Sequence, residues 1–115
     1  MIQVKKQSDE LGLVGEITHI NPELIHDSLA NGYIPVISSI GTDGKGVSYN
    51  INADTAAAEI AGALQAECMI SLTNIDGVLR NPEDPSTLFH RLTMQEVQQL
   101  TDEGIIAGGM IPKVK

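Results

Sequence analysis

A chain of 115 residues and 12.3 kDa suits one domain with a single core. Its 42% hydrophobic and 19% charged residues exclude a disordered chain, and its two Tyr, one Phe and no Trp leave the core to aliphatic side chains and alanine. Seven Lys and Arg against fifteen Asp and Glu give a net charge of −8, a field that repels phosphate backbones and anionic lipid and so argues against nucleic-acid and membrane partners.

Residues 1–10 are polar and read as a ragged start with no apolar leader segment, which together with the lack of a long apolar window predicts a cytoplasmic protein. Leu11 to Thr18 alternates in part and carries two glycines, as a strand or hairpin arm does. Asn21-Pro22-Glu23 reads as an N-cap, a proline at N1 and a first-turn acid, opening a helix with Leu24, Ile25, Ser28 and Leu29 on one face. Asn31-Gly32 ends it. The β-branched run Tyr33 to Ile40 predicts a buried strand, and the glycines of 41–46 a turn.

Asp54 stands as a carboxylate cap before the helix Thr55 to Leu64. The lone Cys68 supports neither an intrachain disulfide nor a zinc site, favours a reducing compartment and reads as a small core residue. Met69 to Thr73 predicts a second buried strand, ending in the polar glycine turn Asn74 to Leu79. Two prolines stiffen the loop 81–86. Thr93-Met94-Gln95-Glu96 is a capping box opening a helix to about Glu103, with Gly104 at its C-terminal side. Alternating strands and helices argue an α/β domain with a mainly parallel sheet, whose ligands bind beyond the carboxyl ends of the strands.

Three clusters carry chemistry. Asn50, Asn52 and Asp54 alternate on the way into a helix, so on an extended backbone they point the same way; loop asparagines with a helix cap are the plain alternative. Leu72-Thr73-Asn74-Ile75-Asp76-Gly77-Val78 opens a strand end into a glycine turn, where backbone N–H groups can meet a nucleotide and Asp76 a ribose or metal. An ordinary βα turn accounts for it as well. Neither GxGxxG nor a Walker A pattern is present. In Gly104 to Lys113, paired glycines permit close approach to a phosphate, and the apolar company of Lys113 sets it apart from a plain surface charge. His19, His26 and His90 are scattered without ligand spacing.

Together LGLVGEIT, NGYIPVISSIG, YNINADTAAAEIAGAL, LTNIDGVLRNPEDPSTL and GIIAGGMIPKV resemble the N-acetyl-L-glutamate kinases of the amino-acid kinase family, in order and across the chain from Leu11 onward. The resemblance implies a three-layer αβα sandwich with a mainly parallel central sheet, 11–115 being a partial domain of that kind. It also implies ATP, with Mg, as phosphoryl donor to the side-chain carboxylate of N-acetyl-L-glutamate, a step of arginine biosynthesis. By the same resemblance Asn50 binds N-acetylglutamate, Asp54 positions the catalytic lysines, and Lys113 is one of those lysines. Thr73, Asn74, Gly77, Leu79, Ile105, Ile106 and Ala107 fall in the nucleotide-contacting segments.

Two departures stand out. Asn74 occupies a position where the family usually has Asp, which removes a charge from any metal or ribose contact. The chain also matches only the central part of such an enzyme, without the strand-turn that brings the other lysine, the glycine-rich phosphate turn and the arginine for the substrate carboxylate. A chain so truncated is expected to be a poor kinase or none by itself. The resemblance further implies homo-oligomers at full length. Residues 81–88 resemble kinases of cyanobacteria and plant plastids, some of which bind the PII signalling protein, which makes PII a candidate partner and a plastid the alternative location for a plant or algal source. Alternatives to the acetylglutamate reading are another amino-acid kinase, such as a uridylate or carbamate kinase, and a non-catalytic nucleotide-binding or assembly remnant.

Overall fold

The computed structural model describes residues 1–114, which fall into two compact units, Met1–Met69 and the residues from Ile70 onward. Unit 1 is built on strands β1 (Ile2–Lys6), β2 (Gly15–Ile20), β3 (Ile40–Thr42) and β4 (Ser48–Asn50), with helices α1 (Glu23–Ala30) and α2 (Ala53–Ala63). The strand order is β2-β1-β3-β4. β1 pairs antiparallel with β2 and parallel with β3, and β3 pairs antiparallel with β4. The α/β class of the sequence reading holds, but this four-stranded sheet is mixed: β1 and β3 pair parallel, an isolated parallel bridge joins Val14 to Asn50, and the other strand pairs are antiparallel.

The ragged start is a correction. Residues 2–6 form a strand, because Ile2 and Val4 alternate with polar residues and drop into the core at 3% and 5% exposure. On the opposite face Lys5 meets its cross-strand partner Glu16 at 3.1 Å. The core gathers Ile2, Val4, Ile20, Tyr49, Ile51 and Ala56. Gly41 lies buried in β3, where a Cβ would come within 2.4 Å of a Val4 methyl and 2.9 Å of Ile51. Only a glycine admits that approach.

Two expected strands do not form as such. Of Tyr33 to Ile40 only Ile40 enters a strand, and Met69 to Thr73 belongs to none. Both runs are exposed at apolar positions: Ile34 90%, Val36 95%, Ile70 82% and Leu72 95%. A strand is assigned by its hydrogen-bonded neighbour, so β-branched sequence alone does not complete one. Helix α2 also starts differently from expectation. Asn52 is its N-cap, accepting from the Thr55 backbone N–H at 3.0 Å, and Asp54 sits inside the first turn.

Unit 2 has little regular structure: a 3₁₀ turn at Pro85–Thr87, helix α3 (Met94–Asp102), and a 3₁₀ turn at Gly108–Met110 leading into the short helix α4 (Ile111–Val114). The expected capping box opens α3: Thr93 N–H donates to the Glu96 carboxylate at 2.7 Å, and Glu96 N–H donates to Thr93 Oγ1 at 3.3 Å. The Thr93 N–H and hydroxyl, which both donate to the Glu96 carboxylate, hold it below its ordinary range. Gly104 (φ +75°) then turns the chain, so that Ile105 and Ile106 N–H both donate to the Leu100 carbonyl, at 2.9 and 3.0 Å. Val78, Leu100 and Ile106 form the core, with Phe89, Leu92 and Val97 packed on it. The loop between Leu79 and Leu88 is closed by that pair and by its own polar residues. Asp84 accepts from Ser86 N–H and Oγ–H, and the Thr87 hydroxyl donates to the Asp84 carbonyl at 2.7 Å. Among the described residues no helix is long and apolar enough to cross a membrane.

Candidate active site

The junction of β4 and α2 in unit 1 presents the first set of expected residues. Asn50, the last residue of β4, is exposed, and its backbone N–H is fixed by the Leu13 carbonyl at 2.8 Å. Ile51 anchors the next position in the core at 3% exposure. Asn52 does not present a free amide as its alternation with Asn50 suggested. Its Oδ1 accepts from both Thr55 N–H and Thr55 Oγ–H, so the side chain is occupied in capping. The backbone turns helical here, and the two-residue alternation stops before Asp54. Asp54, half-buried in the first turn, lies where the helix dipole favours negative charge.

The second set surrounds a cavity of about 620 Å³ in unit 2, of a size for a small ligand. Five of the seven residues expected to contact nucleotide line it: Asn74, Gly77, Leu79, Ile105 and Ala107. The other two do not. Thr73 is exposed outside the lining, and the Ile106 side chain is in the core at 1% exposure. At Ile106 only backbone remains to meet a ligand, since α3 and Gly104 aim its side chain inward.

The walls include Ile75, Val78 and Met110, and the polar groups are Asn74 and Asp76. Apolar walls with a few polar edges are the usual make-up of a small-ligand pocket. Pro82 and Gly104 complete the rim; Gly104 opened the third candidate cluster, whereas the sequence reading left Pro82 in a stiffened loop outside the site. Lys113 lies in α4, half-buried. Among the described residues no group of three His, Cys, Asp or Glu gathers as a metal cluster.

The amino acid kinase family profile matches residues 2–115. The chain belongs to the amino acid kinase family. The match includes β1, which the motifs from Leu11 onward did not reach. Over 106 residues the chain is 54% identical to the acetylglutamate kinase of Methanobrevibacter smithii, covering 92% of this chain and 36% of that protein. It is 52% identical over 116 residues to the acetylglutamate kinase of Actinobacillus pleuropneumoniae, covering 99% and 41%. A solved structure, smu.665 from Streptococcus mutans UA159, superimposes with a TM-score of 0.85 at 37% identity, over 98% of this chain and 45% of that one. The chain therefore spans 36–45% of the length of these three proteins.

Proposed function

We propose that this amino acid kinase chain serves the ATP-dependent phosphorylation of the side-chain carboxylate of N-acetyl-L-glutamate, within arginine biosynthesis. The observation that carries this reading is the unit 2 cavity, lined by five of the residues that the family resemblance assigns to nucleotide. The name shared by the relatives at about half identity, acetylglutamate kinase, supplies the acceptor. In the reaction a carboxylate oxygen attacks the γ-phosphorus of ATP, a new O–P bond forms, and the bond to the β-phosphate oxygen breaks to release ADP. The product is an acyl phosphate. Mg enters with the ATP phosphates.

In unit 1, Asn50 is the residue for the acetylglutamate and Asp54 the carboxylate that serves the catalytic cations. In unit 2, Asn74, Gly77, Leu79, Ile105 and Ala107 bound the nucleotide cavity, and Lys113 offsets the charge that develops on the transferring phosphoryl oxygens. Such transfers depend on positioning and cations more than on covalent help. Asn74 offers the nucleotide a hydrogen bond without a carboxylate's charge.

The complete enzyme carries the full rate, and the 115 residues alone bind nucleotide with little turnover. The test pairs an ATP titration with an acetylglutamate phosphorylation assay on the chain and on Lys113→Ala, with UMP and carbamate as competing acceptors. Retained ATP binding with weak, lysine-dependent acetylglutamate turnover supports the reading. Loss of ATP binding, or preference for UMP or carbamate, overturns it.

A further inference from the structure

Helix α1 ends on Asn31-Gly32. The Asn31 N–H and Nδ2–H both donate to the Asp27 carbonyl, at 3.1 and 2.8 Å, and Gly32 N–H donates to the Leu29 carbonyl at 3.0 Å. Burial adds little to these bonds: Ile25 is the buried residue of the helix, while Leu29, Ala30, Asn31 and Gly32 are exposed. Its last turn has no basic residue to offset the dipole. A turn held this way opens locally far more readily than the core does. Opening frees two groups that react with one another, because a backbone nitrogen can attack the carboxamide of the asparagine before it. A side chain on the attacking residue obstructs that approach. Of the six asparagines, Asn21 and Asn81 precede proline, which has no N–H, and Asn50 and Asn74 precede β-branched isoleucine. Asn52 precedes Ala53, and its carboxamide is occupied in capping α2. Asn31 alone precedes glycine. Gly32 adopts φ +77°, so the residue that lets the helix end also leaves the carboxamide open to attack.

We infer that Asn31 is a site of spontaneous deamidation, gated by opening of the last turn of α1. The Gly32 nitrogen forms a bond to Asn31 Cγ, the Cγ–Nδ2 bond breaks, and ammonia leaves with the proton of the Gly32 amide, which closes a succinimide ring. Water then opens the ring at one carbonyl or the other, giving aspartate or isoaspartate. The product carries a carboxylate where Nδ2–H had donated to the Asp27 carbonyl. That carboxylate stands at the negative end of the helix, four residues from the Asp27 side chain, and adds a charge to a chain already at −8. The turn that closes again is weaker, so conversion loosens the end of α1 irreversibly. Tyr33, whose N–H donates to the Ser28 carbonyl at 3.0 Å across this turn, is the next residue to feel it. The inference concerns unit 1 and is independent of the acceptor and nucleotide proposed above.

The test incubates the purified 115-residue chain in mildly alkaline buffer beside a free peptide of residues 27–35. Peptide mapping by mass spectrometry follows the replacement of each side-chain NH2 by OH, and an isoaspartate assay follows the branched product. The expected result is conversion at Asn31 ahead of the other five asparagines, slower than in the peptide, with both aspartate and isoaspartate formed. Asn31→Gln, whose cyclisation needs a larger ring, stays unconverted at that position. Ala30→Gly, at an exposed position of the last turn, weakens the helix end and should speed conversion about fivefold. Asn31→Asp, the linear product itself, should quicken amide exchange at Gly32 and Tyr33 while Val4 in the sheet keeps its protection. The inference is overturned if Asn31 stays intact in the chain while the peptide converts, or if another asparagine converts first. A rate that Ala30→Gly leaves unmoved overturns the gate, and unchanged exchange in Asn31→Asp overturns the loosening.

Discussion

Unit 1 and unit 2 reach order by different routes. Unit 1 depends on pairings between strands far apart in sequence, such as Gln3 with Thr42, and on buried glycines that let backbones close in. Unit 2 depends on local devices: a capping box, a loop that satisfies its own polar groups, and a glycine that folds Ile105 and Ile106 back onto α3. The residues proposed for the acceptor stand at a strand-to-helix junction in the first, and those proposed for the nucleotide in turns of the second. The unit 2 cavity, walled largely by turns, needs little long-range pairing, whereas placing Asn50 needs a hairpin anchored by residues from the chain's beginning.

The sharpest way to break this contrast is a core truncation in unit 2. Ile106→Ala removes the most buried side chain there and is expected to cost about 2–5 kcal/mol. Amide exchange should quicken around α3 and Ile105, while the β1–β2 hairpin keeps its protection. The counterpart in unit 1 is Gly41→Ala. Its methyl collides with Val4 and Ile51, and strain of about 1–3 kcal/mol should show as loss of protection across β1 and β3 and a lower thermal midpoint.

A smaller effect sharpens the reading of the β4–α2 junction. Asn52→Ala leaves Thr55 N–H without its cap and should cost about 1 kcal/mol; Asn52→Asp, which caps as well, restores it. Urea titration of the two variants decides whether Asn52 is structural, as its occupied amide indicates, and not a substrate contact.

Acid gives the smallest effect. Hydrogen bonds from Ser86 hold the Asp84 carboxyl below its ordinary range, and those from Thr93 do the same for Glu96. A carboxyl with a depressed folded pKa stabilises the fold above the unfolded value, and that contribution is lost as pH falls through the folded one. Both groups are fully exposed, so the expected change is local. The Ser86 and Thr93 amides, which donate to these carboxylates, should lose protection on acidification before Val4 in the sheet does, as followed by NMR.

Local rules made much of unit 2 legible. Thr93 and Glu96 lie three residues apart and cap α3, Gly104 ends it at positive φ, and the motif LTNIDGVL holds three of the cavity's expected lining residues. Unit 1 was harder to read. Lys5 and Lys6 disguised β1 as a ragged polar start, and the cap of α2, read as Asp54, fell to Asn52 two residues earlier.

What the sequence by itself determined was therefore chemical and local: the α/β class, the helices with their stop signals, and family membership through motifs that keep order and spacing. Tertiary structure decided which of these residues face a site and which are spent on the fold. Ile106 turned into the core, and Ile2 and Val4 out of a supposed tail into the heart of the sheet. The physical reason is that capping and turn geometry are settled by neighbours within about one helical turn, whereas burial and strand pairing are settled by partners dozens of residues away, whose contacts must first offset the cost of closing the loop between them.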